Sequence, residues 1–168
     1  CVRDPRTGKP LQPSALHFLA GYQRGAFAAH AVGRAVLAGA PAPSLAPAKA
    51  EAIARDWAIV TLDRPLAIRP VSVRPLSPEP AGEAEAIAPG TLLRAGYSQD
   101  RPHLLTVHEG CSLKERLAEG RVWLTDCDAT RGDSGSPVLI PHGLAVDLVG
   151  IAAAVVEGVG AGTLLNPA

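Results

Sequence analysis

A serine set among glycines is the part of this sequence best suited to covalent chemistry. Residues 132–137 read Gly-Asp-Ser-Gly-Ser-Pro and lead into an apolar segment at 138–140. A serine hydroxyl attacks a carbonyl usefully when a base takes its proton and backbone N–H groups receive the oxyanion, and glycines allow the tight turn that aims those groups. The segment therefore predicts Ser134 as a nucleophile, with the N–H groups of Gly132 and Ser134 as an oxyanion hole. Taken alone, it is also typical of a turn that closes a β-hairpin.

A carboxylate precedes a second strand-like segment. Asp56 opens the run Trp-Ala-Ile-Val-Thr-Leu at residues 57–62, which is rich in β-branched residues and is typical of a buried strand. A carboxylate fixed there could orient a histidine base. A charged residue that only caps the start of a strand is also common, and Asp56 alone does not separate the two interpretations.

The order Asp then Ser, in these two motifs, resembles the chymotrypsin-like (trypsin-like) serine peptidases, whose triad runs His, Asp, Ser along the chain. The resemblance covers most of the chain and is nearest to bacterial secreted or periplasmic members. It implies a serine endopeptidase that works through an acyl-enzyme intermediate, with Ser134 as nucleophile, Asp56 orienting the histidine and no cofactor. A non-catalytic, protease-like binding scaffold is the alternative, and the presence of both Asp56 and Ser134 favours the enzyme.

The histidine of the triad departs from the family pattern. Family members carry Thr-Ala-Ala-His-Cys, and Cys1 resembles the cysteine that follows the histidine. Because the sequence also has no methionine, we expect a fragment that is inactive as it stands and whose catalytic histidine lies just before Cys1. Residues 28–30 read Ala-Ala-His, but Ala31 replaces the cysteine and the separation of His30 from Asp56 is short for the family. His30 is therefore the weaker candidate for the base.

The resemblance also implies a disulfide and a specificity pocket. Cys111 and Cys127 flank a hairpin-sized segment before the nucleophile, and bacterial members often have a cysteine there, which implies a disulfide between them; two buried free thiols are the alternative. Asp128 resembles the carboxylate at the base of the trypsin pocket and would favour cleavage after Arg or Lys. Ala153, on the expected pocket wall, departs from the usual Ser-Trp pattern, and Asp128 could instead hydrogen-bond the loop backbone.

Two other motifs are decoys. Residues 132–136 do not form the Gly-x-Ser-x-Gly elbow of α/β-hydrolases, because Ser136 takes the place of the second glycine. Residues 131–133 spell the adhesion tripeptide Arg-Gly-Asp, but the protease motif already explains the glycine and the aspartate. The three cysteines and five histidines lack the spacing of a metal site, so no metal is expected.

Composition limits the partners. The 168 residues carry sixteen basic and sixteen acidic side chains, and a formal net charge of zero argues against electrostatic binding of nucleic acid or of a membrane surface. The longest apolar stretch, residues 148–156, is too short to span a bilayer. A protein or peptide substrate is the expected partner, and the sequence leaves the oligomeric state open.

Short strands separated by seventeen glycines and sixteen prolines favour β-barrels over helix bundles. With the resemblance, they predict an all-β, chymotrypsin-like double β-barrel. Residues 1–64 are expected to be the remainder of an N-terminal barrel that lacks its early strands, 65–89 the connection, and 90–168 a nearly complete C-terminal barrel with the nucleophile loop. The expected strands are 16–20, 30–37, 57–62, 91–97, 103–108, 121–125, 137–140 and 146–156, with a short helix or a loop at 46–55.

Overall fold

The computed structural model describes residues 2–4, 6–39, 50–76 and 87–155, together with the backbone of residues 156 and 159–164. These residues form eleven strands, one 3-10 turn (Pro13–Ala15) and one short helix, α1 (Ala50–Ile53). The strands are β1 (His17–Ala20), β2 (Ala29–Ala38), β3 (Ala58–Leu62), β4 (Ser72–Val73), β5 (Leu92–Gly96), β6 (Thr106–Cys111), β7 (Leu113–Leu117), β8 (Val122–Thr125), β9 (Pro137–His142), β10 (Ala145–Val156) and β11 (Val159–Leu164).

The first sheet is antiparallel, with the strand order β1-β2-β3. Half-buried and exposed residues alternate along β3, as expected for a strand with one face on the core. Gly33 on β2 is required by packing, because a Cβ atom there would lie 2.5 Å from the carbonyl oxygen of Pro13. At the end of β3, the Asp63 carboxylate accepts a hydrogen bond from the Val32 N–H at 3.0 Å, which lowers the pKa of Asp63.

The second sheet has the strand order β6-β5-β9-β10-β11-β8-β7, and β4 pairs with β10 in parallel. Its neighbouring strands in that order are antiparallel. The buried core on this sheet is built from Leu76, Leu92, Cys111, Trp123, Cys127, Val138 and Val149. The segment that carries Ser134 connects β8 to β9, so its two ends are fixed by strands of one sheet.

The predicted strands all occur, with two kinds of difference. β6 begins at Thr106 because the preceding residues turn, with the N–H of Leu104 bonded to the carbonyl of Arg101. The sequence did not predict β4, β7 or β11, and β4 lies inside the segment expected to connect the barrels. Helix α1 lies in the stretch predicted as helix or loop, of which residues 46–49 are outside the described part. Cys1 is also outside it.

Candidate active site

Ser134 lies in the loop between β8 and β9, residues 126–136, which we call the nucleophile loop. Gly132 and Gly135 adopt positive φ angles of 96° and 89°, which favour glycine. A Cβ atom on Gly132 would also lie 2.7 Å from the backbone nitrogen of Gln99, whose N–H donates to the carbonyl of Arg131 at 2.7 Å. Glycine at position 132 is therefore required both by the turn and by this close approach.

The end of the nucleophile loop is held by β10. The N–H of Gly135 donates to the carbonyl of Ala152 at 2.7 Å, and the N–H of Ala152 donates to the carbonyl of Ser136 at 2.9 Å. The N–H of Ser136 closes a turn on the carbonyl of Asp133 at 2.9 Å. Ser134 lies inside this turn and is exposed. Among the described residues, the Gly132 N–H donates no backbone hydrogen bond, and its role in an oxyanion hole stays a prediction.

A buried ion pair underlies the exposed serine. The Asp133 carboxylate is 1% exposed and accepts hydrogen bonds from Arg94 Nη1 at 2.6 Å, Ser98 Oγ at 2.9 Å and the Thr130 N–H at 2.7 Å. Arg94 itself is 5% exposed. A carboxylate taken out of water is stable only when it is paired and its lone pairs are satisfied. Asp133 is therefore fixed in position, and with it the residue that follows, Ser134.

Arg94 fixes both ends of the nucleophile loop. Its Nε donates to the carbonyl of Asp128 at 2.6 Å, while Nη1 donates to Asp133. A planar guanidinium can make two such bonds in fixed directions, which a lysine ammonium on a flexible stem cannot. Sequence reasoning missed this residue; its one signal was a charged residue inside the apolar run of β5, Leu-Leu-Arg-Ala-Gly.

We expect Arg94→Met to destabilise the protein by about 3–5 kcal/mol, since it leaves the Asp133 carboxylate buried without its cation. Denaturant unfolding measures the loss. The matched variant Arg94→Lys keeps the charge but not both hydrogen bonds, and should fall between wild type and Arg94→Met. The double variant Arg94→Met/Asp133→Leu should recover part of the loss, because it removes both charges. A stability of Arg94→Met equal to that of wild type would contradict this account of the loop.

The start of the nucleophile loop is tied to β6 by a disulfide. Cys111 and Cys127 are bonded, with a Cα–Cα distance of 4.9 Å, and both are buried. The predicted disulfide is therefore confirmed. Beside it, Asp126 pairs with Lys114 Nζ at 2.7 Å and accepts the Ser112 N–H at 2.5 Å, and these contacts lower the pKa of Asp126. The stability that they contribute is present at neutral pH and is lost as the pH falls through the lowered pKa.

Replacing both cysteines, Cys111→Ala/Cys127→Ala, should lower the free energy of unfolding by about 3 kcal/mol, the chain-entropy value for a loop of this size. Their separation along the chain is 16 residues. Urea unfolding with and without a reducing agent tests this: reduction should destabilise the wild type by a similar amount and leave the double variant unchanged. Equal stability of the oxidised wild type and the double variant would refute it.

Asp56 lies between α1 and β3, on the first sheet. Its N–H is bonded to the carbonyl of Ile53 at 2.9 Å, which ends the helix, and its side chain is exposed. Among the residues that the structure describes, no group pairs with the Asp56 carboxylate. Asp56 and Ser134 thus come from different sheets, and their assignment to one triad stays a prediction.

Each of the five histidines contacts a partner other than Asp56. Nδ1 of His17 and Nε2 of His30 are 2.9 Å apart, so the candidate His30 is paired with another imidazole on the neighbouring strand. The other contacts are Tyr22 Oη with His103 Nδ1 at 2.6 Å, the Asp128 N–H with His108 Nδ1 at 2.6 Å, and His142 Nδ1 with Asp147 Oδ2 at 3.2 Å.

Of the two predicted specificity residues, Asp128 lines the open cavity of the described structure and Ala153 does not. The Asp128 side chain is 93% exposed, at the rim of an open cavity of about 690 Å³ that is also lined by Arg94, Ser98 and His108. A carboxylate at the base of a pocket should instead be buried. The hydrogen bonds of Asp128 are made by its main chain, whose N–H donates to His108 and whose carbonyl accepts from Arg94. Ala153 is half-buried at an irregularity in the pairing of β10 with β11. The role of either residue in specificity stays a prediction.

The described ranges contain neither a candidate metal site nor a candidate membrane-spanning helix. There, no three side chains of His, Cys, Asp or Glu come together as a possible metal site. No helix in the same ranges is long and apolar enough to cross a membrane.

Comparison with known proteins agrees with this architecture. A family model described as a trypsin-like peptidase domain matches residues 14–151. The structure resembles the protease Anisep from Arthrobacter nicotinovorans, with a TM-score of 0.57 and 16% identity over 88% of this chain and 68% of that one. It also resembles the VesB protease of Vibrio cholerae, with a TM-score of 0.62 and 16% identity over 88% of this chain and 46% of that one. No curated protein matches in sequence.

These likenesses confirm the predicted all-β, chymotrypsin-like fold. The strands that the structure describes form open sheets, without a closed barrel among them. The chain spans less than half the length of the VesB protease.

Proposed function

Because the chain belongs to the trypsin-like peptidase domain family, we propose that it carries the nucleophile of a serine endopeptidase. The observation that supports this most strongly is the buried Asp133, paired with Arg94 directly before the exposed Ser134. A loop that served only as a hairpin turn would need no buried ion pair beneath it. Such an arrangement suits a hydroxyl that must be held still while it reacts.

In the proposed reaction, Ser134 Oγ attacks the carbonyl carbon of the scissile peptide bond while a histidine takes its proton. The carbonyl oxygen becomes an oxyanion that accepts hydrogen bonds from the N–H groups of Gly132 and Ser134. Collapse of this intermediate breaks the C–N bond, and the histidine returns the proton to the leaving amine. Water then attacks the acyl-enzyme by the same route and releases Ser134.

We propose that the base is a histidine just N-terminal to Cys1, oriented by Asp56. The partners of the five histidines within the 168 residues support this, since each has a contact other than Asp56. The Asp56 carboxylate is exposed and has no partner among the described residues, which suits a histidine that comes from outside them. On this proposal the 168 residues alone do not hydrolyse peptides.

The division into a remnant of the first barrel (1–64), a connection (65–89) and a second barrel (90–168) is part of the proposal. A secreted or periplasmic location is also proposed. The Cys111–Cys127 disulfide supports it, because disulfides persist in oxidising compartments and are rare in the cytosol.

Active-site labelling tests the function. The protein as the cell makes it should react with a fluorophosphonate, and peptide mapping should find the label on Ser134. It should also cleave an unfolded protein substrate. A label on a different serine would overturn the assignment of the nucleophile, and a lack of both labelling and cleavage would favour the binding scaffold.

A further inference from the structure

The peptide group of Asp128 is held from both sides, and His108 provides one of the two contacts. The Asp128 N–H donates to His108 Nδ1 at 2.6 Å, while the Asp128 carbonyl accepts from Arg94 Nε at 2.6 Å. His108 and Arg94 lie directly opposite each other in the pairing of β5 with β6. Two neighbouring strands thus hold the first part of the nucleophile loop, which carries Ser134 further on.

We propose that His108 is a positioning residue of the nucleophile loop, and that it holds the loop only while its Nδ1 carries no proton. The effect on catalysis rests on the function proposed above; the contact itself does not. An imidazole nitrogen that accepts a hydrogen bond has its lone pair free, so the neutral ring must carry its proton on Nε2. His108 therefore works here as an acceptor.

Protonation of the ring would reverse this contact. A proton on Nδ1 would face the Asp128 N–H, so two donors would oppose each other at a distance that suits only a hydrogen bond. The protonated nitrogen has an alternative partner, because the Asp128 carboxylate oxygen Oδ2 lies 3.7 Å away and is exposed. We infer that acidification moves His108 from the backbone of Asp128 to its side chain and releases the backbone.

Charged groups of both signs line the open cavity beside His108, and they come from each element that borders it. They are Arg94 on β5, Asp100 and Arg101 in the β5–β6 loop, Glu109 on β6, and Asp128 in the nucleophile loop. The His108 side chain is one-third exposed, so solvent protons reach it. Histidine is the side chain that ordinarily changes charge between pH 5 and 8.

Release of Asp128 matters for Ser134 because Arg94 bridges the two ends of the loop. Without His108, the peptide group of Asp128 keeps its bond to Arg94, while the disulfide and the contacts of Asp126 hold the residues before it. A shift of Arg94 is then passed to Asp133. A nucleophile displaced slightly from its position loses rate more than substrate affinity. The expected effect is therefore on kcat, with KM little changed.

Two substitutions of His108 distinguish its role as a hydrogen-bond acceptor from its ability to take up a proton. Asn Oδ1 is as far along the side chain as His Nδ1 and accepts a hydrogen bond without titrating, whereas leucine cannot accept. At pH 8, in the protein as the cell makes it, His108→Leu should lose about tenfold in kcat, the upper size expected for one hydrogen bond, and His108→Asn should stay near wild type. His142→Leu is the matched control, since His142 also pairs with an aspartate but lies at the distant β9–β10 turn, and its kcat should be unchanged.

The pH profile is the sharper readout. Relative to its own rate at pH 8, His108→Asn should keep more activity at about pH 5.5 than the wild type, because it cannot be protonated there. A purely structural role would not move this profile. If His108→Asn lost activity on acidification in parallel with the wild type, the proposal would be wrong.

Nuclear magnetic resonance tests the contact without catalysis, in the Ser134→Ala protein. The ring ¹⁵N shifts should identify the Nε2–H tautomer at neutral pH, and the Asp128 amide should titrate together with the His108 ring. An Nδ1–H tautomer, or an Asp128 amide that does not follow the ring, would overturn the proposal. If both signals behave as expected but the wild-type protein, as the cell makes it, cleaves no peptide, the proposed function fails and the contact stands.

Discussion

In the protein as the cell makes it, replacing Ser134 with alanine should lower kcat for peptide hydrolysis about a million-fold, the loss seen when a serine protease loses its nucleophile. The residual rate would come from substrate binding and from the N–H groups of the oxyanion hole. Because Ser134 is exposed and the turn around it is made by backbone hydrogen bonds, the fold should not change. The measurements are steady-state kinetics on a peptide substrate and a thermal unfolding curve.

The control for Ser134→Ala is Ser72→Ala, another exposed serine, on β4. It should keep the full rate and remain open to labelling by a fluorophosphonate. Turnover of Ser134→Ala at more than about a thousandth of the wild-type rate would show that another group performs the attack, since the nucleophile is the one member of the mechanism that has no substitute.

Replacing Asp56 with asparagine should lower kcat about ten-thousand-fold at neutral pH. An amide in place of the carboxylate would favour the wrong tautomer of the histidine, so that the base could no longer accept the proton of Ser134. The same kinetics measure the loss, and the unfolding curve should change little, because Asp56 is exposed.

Asp63→Asn offers a control for Asp56→Asn at the other end of the same strand. Asp63 accepts the N–H of Val32, and asparagine keeps an acceptor oxygen there while removing the charge, so Asp63→Asn should leave kcat near that of the wild type. A rate of Asp56→Asn within about tenfold of wild type would remove Asp56 from the triad and return it to the role of a strand cap.

The sequence predicted the strands whose apolar residues form continuous or alternating runs, and missed those that do not. β7 reads Leu-Lys-Glu-Arg-Leu, with leucines four residues apart, which is a helical rather than a strand spacing. β11 contains two glycines, which strands disfavour. β7 and β11 form because the neighbouring strands of the sheet provide hydrogen-bond partners for their backbone groups. A short window of sequence does not show which strands will be neighbours.

The residues of the candidate site likewise include some that the sequence could predict and some that it could not. Ser134 and Gly132 could be predicted because a nucleophile turn has its own local residue requirements. Arg94 and His108 could not, since their roles depend on which strand lies beside the loop. The register of β5 with β6 places both next to Asp128, although they are far from it in sequence.

The contacts that fix Asp133 also set the order in which the site assembles during folding. They join residues 35 and 39 positions apart, Ser98 and Arg94 to Asp133, whereas hairpins join near neighbours. Because distant contacts form late, we expect Ser134 to reach its working position only after the surrounding sheet exists. A half-folded molecule would then be chemically inert. A newly made chain could not digest its equally unfolded neighbours, however closely they were crowded together.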